Sequence, residues 1–192
     1  MWKKWHKNIK NSYKYPGFTY QSIIGLPSIP PYWSLGFHQS RWGYENVEAL
    51  QEVVDSFEEN QLPLDTVWSD IDYMEDHKLW TLDSVNYPVT KMKPFIEELH
   101  ETNKHYVMII DPGVKQESGY EPFQEGIQKD IFIKDASGEP VVGKVWPGLV
   151  SFVDFSHPDA LEYWSKNMES FHEDVPFDGL WIGKSSTTLN LV

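Results

Sequence analysis

The feature that most constrains the fold of this chain is a repeated alternation between short apolar runs and longer amphipathic stretches. The apolar runs have the length of strands, whereas the amphipathic stretches repeat apolar residues at helical spacing. Such alternation predicts consecutive βα units and therefore a parallel sheet. The predicted strands cover residues 33–38, 66–71, 105–111 and 179–182, and the predicted helices cover residues 46–60, 89–103 and 157–174.

The first amphipathic stretch has the clearest helical signals. Asn46 is a residue type that caps helix N-termini, and apolar residues follow it at helical spacing on one face. These apolar residues are Val47, Leu50, Val53, Val54 and Phe57. The pattern predicts a helix that packs on the core, not a cofactor site.

Between Pro112 and Pro158 the sequence has many Gly and Pro breakers and little helical periodicity. We interpret this region as a long insertion after the third strand. Residues 131–145 contain two β-rich runs on either side of a Gly-containing turn, which predicts a hairpin.

The length of the chain limits how much of a barrel it can form. A complete (β/α)8 barrel typically needs about 250 residues, and this chain has 192. We therefore predict an α/β fold that is a partial (β/α)8 TIM barrel of about four βα units. In such folds the loops that follow the strands carry the chemistry.

Composition excludes several classes of partner. The net charge is −13, which disfavours nucleic acid because phosphate contacts need clustered Lys and Arg. No stretch is apolar enough to predict a membrane span or a signal peptide, and the absence of cysteine excludes disulfides. The nine Trp and ten Tyr suit a ligand with apolar faces and polar edges, such as a sugar, and the alternative is that most of these rings pack in the core.

Acidic residues stand at the ends of predicted strands. Asp70 and Asp72 end an apolar run, and Asp111 ends the next one. In an extended strand, residues two apart share a face, so Asp70 and Asp72 would repel one another unless a ligand or a polar neighbour uses them. These acids are therefore candidate functional residues.

Several ordered motifs resemble glycoside hydrolase family 31, the α-glucosidase type. They are Trp33-Ser-Leu-Gly-Phe-His-Gln-Ser-Arg-Trp-Gly-Tyr44, Trp68-Ser-Asp-Ile-Asp-Tyr-Met74, Tyr106-Val-Met-Ile-Ile-Asp-Pro112, Gly143-Lys-Val-Trp-Pro-Gly148 and Phe177-Asp-Gly-Leu-Trp-Ile182. The resemblance covers roughly residues 22–182. We accordingly expect a poorly ordered leader in residues 1–21, the barrel domain in residues 22–182 and an unrelated tail in residues 183–192.

The resemblance implies a set of site residues. Asp70 matches the acid that hydrogen-bonds sugar hydroxyls in the innermost subsite, a task that suits a charged acceptor. The other implied substrate-binding residues are Ile71, Trp42, Ile110, Trp146 and Trp181, for which core packing is the alternative. Asp72, Asp111 and Arg41 are implied to support the site; Asp72 could instead hold its loop, and Arg41, like His38, could be the structural partner of a buried acid.

This chain departs from the family motif at the position of the catalytic nucleophile. Relatives continue as Trp-Ile-Asp-Met-Asn-Glu, whereas this chain has Gly183 in place of the nucleophilic Asp. The acid/base of the family lies further along, beyond the matched segment. Asp178 precedes its predicted strand, so we expect it at the opposite end of the sheet. No metal-ligand spacing is present, and the family needs no organic cofactor.

The resemblance thus predicts a fragment of an α-glucosidase-like hydrolase. The complete enzyme is expected to hydrolyse terminal α-linked glucose with retention, while this chain alone is expected to be inactive and to bind an α-glucoside or oligosaccharide weakly. The alternative is a non-catalytic carbohydrate-binding or interaction fragment. The abrupt change at Gly183 favours a truncated, frame-shifted or alternatively spliced tail. Relatives usually occupy the secretory pathway or the extracellular space.

Overall fold

The computed structural model of the chain describes residues 16–182. It divides into two compact units with a boundary between Leu35 and Gly36. The first unit contains helix α1 (Pro16–Ile24) and a turn of 3-10 helix (Tyr32–Leu35). Helix α1 runs across residue 21, where the sequence predicted the boundary between leader and barrel.

The second unit is built on a four-stranded parallel sheet. Its strands are β1 (His38–Gln39), β2 (Thr66–Ser69), β3 (His105–Ile109) and β7 (Gly179–Trp181), and they lie in this order across the sheet. The connections contain helices α2 (Val47–Glu59), α3 (Val89–Glu101) and α5 (Ala160–Asp174). Alternating strands and helices around a parallel sheet confirm the predicted partial α/β barrel.

Amphipathic helices pack on this sheet as their periodicity predicted. Asn46 caps α2, because its Oδ1 accepts a hydrogen bond from the Ala49 N–H at 2.8 Å. Helix α2 buries Val47, Leu50 and Val54, and helix α3 buries Met92, Phe95, Ile96 and Leu99. The ring of Phe95 meets the ring of Tyr106 edge to face at 6.5 Å between centroids, which joins α3 to β3.

The insertion between β3 and α5 has more regular structure than its breakers predicted. Strands β4 (Gly113–Lys115), β6 (Gly148–Phe152) and β5 (Val142–Val145) form an antiparallel sheet in that order, and helix α4 spans Glu121–Gln128. The sequence did not predict α4. Its Pro122 lies at the helix start, where the missing N–H breaks no helical bond.

The predicted hairpin at residues 131–145 is only partly correct. A short turn joins Ile133 to Val141 by a backbone hydrogen bond of 2.7 Å. The longer hairpin pairs β5 with β6, and its turn is Trp146–Pro147. Residues 142–145 therefore pair with the strand that follows them instead of the run that precedes them.

The predicted first strand, residues 33–38, is wrong in most of its length. The chain turns after Pro31, whose carbonyl accepts hydrogen bonds from the Ser34 N–H (3.1 Å) and hydroxyl (2.7 Å). In the second unit the carboxylate of Asp65 fills the space beside Gly36 and accepts from the Phe37 N–H at 2.8 Å. Regular pairing therefore begins only at His38, which is level with Thr66.

Candidate functional site

The predicted polar and aromatic residues gather at the carboxyl end of the parallel sheet. Asp70 directly follows β2, Ile110 and Asp111 follow β3, and Trp181 ends β7. Ser69 pairs with Met108, and Ile109 pairs with Trp181, so Asp70, Ile109 and Trp181 are level across the sheet. Because the strands are parallel, all of these residues lie at the same end.

The sequence predicted that Asp70 and Asp72 share one face of an extended strand. In the structure they do not. Strand β2 ends at Ser69 instead of Ile71, and a turn of 3-10 helix follows over Ile71–Tyr73. Asp70 caps this turn by accepting from the Ile71 N–H at 2.7 Å through Oδ1. The two carboxylates therefore have different protein partners, the Ile71 N–H for Asp70 and the Gly43 N–H for Asp72.

Asp72 holds the loop that follows β1. Its Oδ2 accepts a hydrogen bond from the Gly43 N–H at 3.1 Å. The bond joins the loop of Asp70 to the loop of Trp42. This geometry matches the alternative role that the sequence left open for Asp72.

Trp42 and Trp146 form an exposed aromatic pair. Their ring centroids are 6.2 Å apart with planes at 44°. Trp42 is 66% exposed and Trp146 is 48% exposed, although both are large apolar side chains. Trp146 reaches this position because it lies at the tip of the β5–β6 hairpin, so the insertion brings it to the loop after β1.

A second aromatic row crosses the sheet itself. Trp181 meets Trp68 edge to face at 5.9 Å between centroids, and the Trp68 indole N–H donates to Nδ1 of His38 at 2.9 Å. The strand register puts the three side chains on one face. From the sequence we expected His38 to be the structural partner of a buried acid. In the structure, His38 accepts the hydrogen bond from the indole of Trp68.

The apolar candidates are core residues. Ile71 and Ile110 are both buried. Their burial favours core packing, the alternative to substrate binding in the sequence analysis. Asp111 is buried as well, with 5% of its surface exposed. Burial raises the pKa of the Tyr73 hydroxyl, and the charge of Asp111 contributes to the same rise. Asp111 is therefore a buried acid close enough to Tyr73 to affect its pKa.

Arg41 is exposed at the rim of the site. Its guanidinium lies 5.7 Å from the centroid of the Tyr44 ring, within the range of a cation–π contact. Gly183, the predicted position of the nucleophile, lies outside the described residues.

Asp178 lies at the other end of the sheet, before β7. It accepts hydrogen bonds from the Tyr106 N–H (2.8 Å) and His100 Nε2 (2.9 Å), and His105 Nδ1 is 3.2 Å away. Burial raises the pKa of this carboxyl, but the Tyr106 N–H and the two imidazoles outweigh burial and hold the pKa below its usual value. Asp178 is thus a structural residue.

Most tyrosines within residues 16–182 pack in the core, which was the alternative to sugar binding. Tyr44, Tyr73, Tyr87, Tyr106, Tyr120 and Tyr163 are buried. Among the residues predicted to contact a ligand, the exposed aromatic surface is provided by tryptophan. The sequence could not separate these roles, because both residue types are large, aromatic and polar at one edge.

Within residues 16–182, no group of three His, Cys, Asp or Glu side chains is arranged to hold a metal ion. The helices of this described part are too short or too polar to cross a membrane. A cleft of about 700 Å³ lies between α2 and the loop after β1, where Arg41 and Gly43 line it beside the candidate site. A second cleft, of about 860 Å³, lies beside Phe123 and Val142 in the insertion.

Residues 27–189 match the family model described as the glycosyl hydrolases family 31 TIM-barrel domain. Similar curated proteins include an alpha-glucosidase of Hordeum vulgare, 45% identical over 166 residues, and Alpha-xylosidase 1 of Arabidopsis thaliana, 44% identical over 163 residues. Each alignment covers 85% of this chain, and 19% and 18% of the two relatives respectively. The chain thus spans about a fifth of the length of these relatives.

Solved structures show the same similarity. The DNJ-bound crystal structure of a glucosidase II alpha subunit superposes with a TM-score of 0.79 at 28% identity, covering 85% of this chain and 18% of that one. A family 31 alpha-glucosidase from Bacteroides thetaiotaomicron superposes with a TM-score of 0.74 at 30% identity, covering 84% of this chain and 27% of that one.

Proposed function

Because this chain belongs to glycosyl hydrolase family 31, we propose that it forms a sugar-binding part of an α-glucosidase-type site and does not hydrolyse glycosides by itself. Asp70 binds hydroxyls of a terminal α-linked glucose, and Trp42, Trp146 and Trp181 contact its apolar faces. Relatives named as an alpha-glucosidase and an alpha-xylosidase support a terminal α-linked sugar as the ligand.

One observation carries this proposal: two exposed tryptophans meet beside the acid-bearing loop. Trp42 and Trp146 come from separate segments, and the Asp72–Gly43 bond fixes the loop of one of them to the loop of Asp70. Exposed aromatic rings beside a carboxylate suit a ligand that has apolar faces and hydroxyl donors.

The same geometry indicates weak binding. Asp70 is only partly buried, and Trp42 and Trp146 are largely open to solvent. Hydrogen bonds to an exposed acceptor compete with water, so each contributes only about 1 kcal/mol or less net. We therefore expect affinity for a disaccharide in the millimolar range, on the order of 4 kcal/mol.

Catalysis requires a group that Gly183 does not provide. A retaining glycosidase uses two carboxyl groups roughly 5 to 5.5 Å apart, one of which attacks the anomeric carbon. Glycine has no side-chain carboxylate to form the glycosyl-enzyme bond. Binding of sugar by this chain is therefore not followed by cleavage.

Tryptophan fluorescence tests the binding. Titration with maltose should change the emission of the wild-type chain saturably, because rings in contact with the sugar lose water. Asp70→Ala should abolish the change. Asp55→Ala removes an exposed aspartate of α2 and should leave the titration unaltered. An unchanged wild-type spectrum at high maltose would contradict the proposal.

Hydrolysis of an aryl α-glucoside tests the lack of catalysis. The purified chain should release no aryl alcohol above the blank. Gly183→Asp introduces a carboxylate without an acid to protonate the leaving group, so it should still leave maltose intact. Measurable turnover by the wild-type chain would show that another residue supplies the nucleophile.

A further inference from the structure

Four buried tyrosines each donate a hydrogen bond to a backbone carbonyl of a different element. Their hydroxyls are at least 36 positions in sequence from the carbonyls that they reach. The four bonds are Tyr73 to Ile109 (2.7 Å), Tyr120 to Leu79 (2.7 Å), Tyr163 to Pro122 (2.8 Å) and Tyr87 to Tyr44. We call these four residues the tyrosine ties.

Three of the ties end on segments that carry the candidate site. Tyr87 joins the segment before α3 to the loop after β1, two residues from Trp42. Tyr73 joins the loop of Asp70 and Asp72 to the end of β3, two residues from Asp111. Tyr120 joins the insertion to residue 79 of that same loop, and Tyr163 joins α5 to the start of α4.

The loop between β2 and α3 needs such support because its backbone is strained. Asp76, His77 and Trp80 have positive φ angles of 50°, 58° and 53°. This conformation is uncommon for residues other than glycine, and it is a genuine outlier for a bulky side chain such as tryptophan. Tyr120 holds the carbonyl of Leu79, the residue directly before Trp80.

Contacts of Trp80 add to the same support. Its indole N–H donates to the sulfur of Met168 at 2.9 Å, and its ring meets Trp164 edge to face at 5.0 Å. The strained loop is therefore held from α5 and from the insertion as well as from β3. Local sequence alone does not maintain its conformation.

We propose that Tyr73 and Tyr120 are positioning residues, which hold the loop of Asp70 and Asp72 in the geometry required for sugar binding. The proposal rests on the proposed function for its ligand. Burial raises the pKa of both hydroxyls well above the physiological range, so each remains a protonated donor. The two residues act through Asp70 and do not contact the sugar.

Replacement by phenylalanine tests the ties without removing the packed rings. Tyr73→Phe and Tyr120→Phe each remove one hydroxyl donor. The backbone carbonyl that accepted its hydrogen bond then loses that donor. Tyr106→Phe is the matched control. Tyr106 is also buried, but within residues 16–182 its hydroxyl donates no hydrogen bond to a carbonyl of another loop.

Hydrogen–deuterium exchange of the full chain, read in peptides covering residues 70–82, measures the loop directly. We expect Tyr73→Phe and Tyr120→Phe each to accelerate exchange there about tenfold, which is the effect of losing one net hydrogen bond. Tyr106→Phe should change exchange in these peptides less than twofold. Unaltered exchange in both tie variants, or equal acceleration in the control, would overturn the proposal.

Maltose titration of the same proteins separates this proposal from the proposed function. If the wild-type chain binds, the two tie variants should bind about tenfold more weakly, and Tyr106→Phe should bind like the wild type. Equal affinity in all four proteins would overturn the positioning role. If the wild-type chain does not bind maltose, the proposed function is wrong, and the exchange rates alone decide whether the ties hold the loop.

Discussion

At the scale of single residues, surroundings rather than residue type distinguish Asp70 from Asp178. Asp70 stands at the carboxyl end of the sheet, accepts the N–H of the next residue and is partly open to solvent. Asp178 stands at the amino end, where a backbone N–H and two histidines surround its carboxylate. The first carboxylate retains acceptor capacity for a ligand, while the second is used by the fold.

Replacing Asp178 should make stability depend on pH. Its pKa is lowered in the folded chain, so its contribution is present above the usual value of 3.8 and is lost as pH falls through the folded-state pKa. We expect Asp178→Asn to lower the free energy of unfolding by about 2 kcal/mol at pH 6. Urea unfolding at pH 6 and pH 3 measures the difference.

The difference between the wild type and Asp178→Asn should shrink at pH 3, because below pH 3.8 the unfolded chain takes up a proton at Asp178 and the contribution of its charge to folding falls toward the folded-state pKa. Asp55→Asn, on the exposed surface of α2, should show little difference at either pH. An equal loss at both pH values would mean that packing, and not charge, gives Asp178 its role.

Strand direction was enough to predict which end of the sheet each candidate occupies. The register confirms that Asp70 and Trp181 lie at one end and Asp178 at the other. The partners of these residues could not be predicted in the same way. Asp72 bonds Gly43, and Trp68 bonds His38, across sequence separations that only the assembled fold brings together.

At the scale of elements, periodicity predicted helices better than strands. Helices α2 and α3 have a full apolar face, so their spacing identifies them and their buried residues. Strand β1 has only two residues, and the turn after Pro31 replaces most of its predicted length. Two residues are too few to show a periodic pattern. They form a strand because they pair with β2.

The insertion shows how an element can be predicted and its pairing missed. The β-rich run at residues 142–145 is a strand, as expected, but its partner is β6. This pairing has a direct functional consequence, because it puts Trp146 at the tip of the hairpin and against Trp42. Local β propensity does not identify the partner strand.

At the scale of the whole molecule, the candidate site belongs to the second compact unit and draws on four separate segments. The loop after β1 contributes Trp42, the loop after β2 contributes Asp70, the insertion contributes Trp146, and β7 contributes Trp181. Side-chain bonds from Asp72 and the tyrosine ties join these segments. The proposed sugar site therefore depends on tertiary structure more than on any one motif.

The most direct test of this account is to observe which of the nine tryptophans respond to sugar. Indole N–H resonances in the ¹H–¹⁵N spectrum, assigned through single Trp→Phe variants, should be followed during titration with maltose. Saturable shifts are expected for Trp42, Trp146 and Trp181. Trp80, in the loop between β2 and α3, packs on Trp164 of α5, and neither should shift. Shifts confined to Trp80 and Trp164, or no shift in any indole, would contradict a sugar site at the carboxyl end of the sheet.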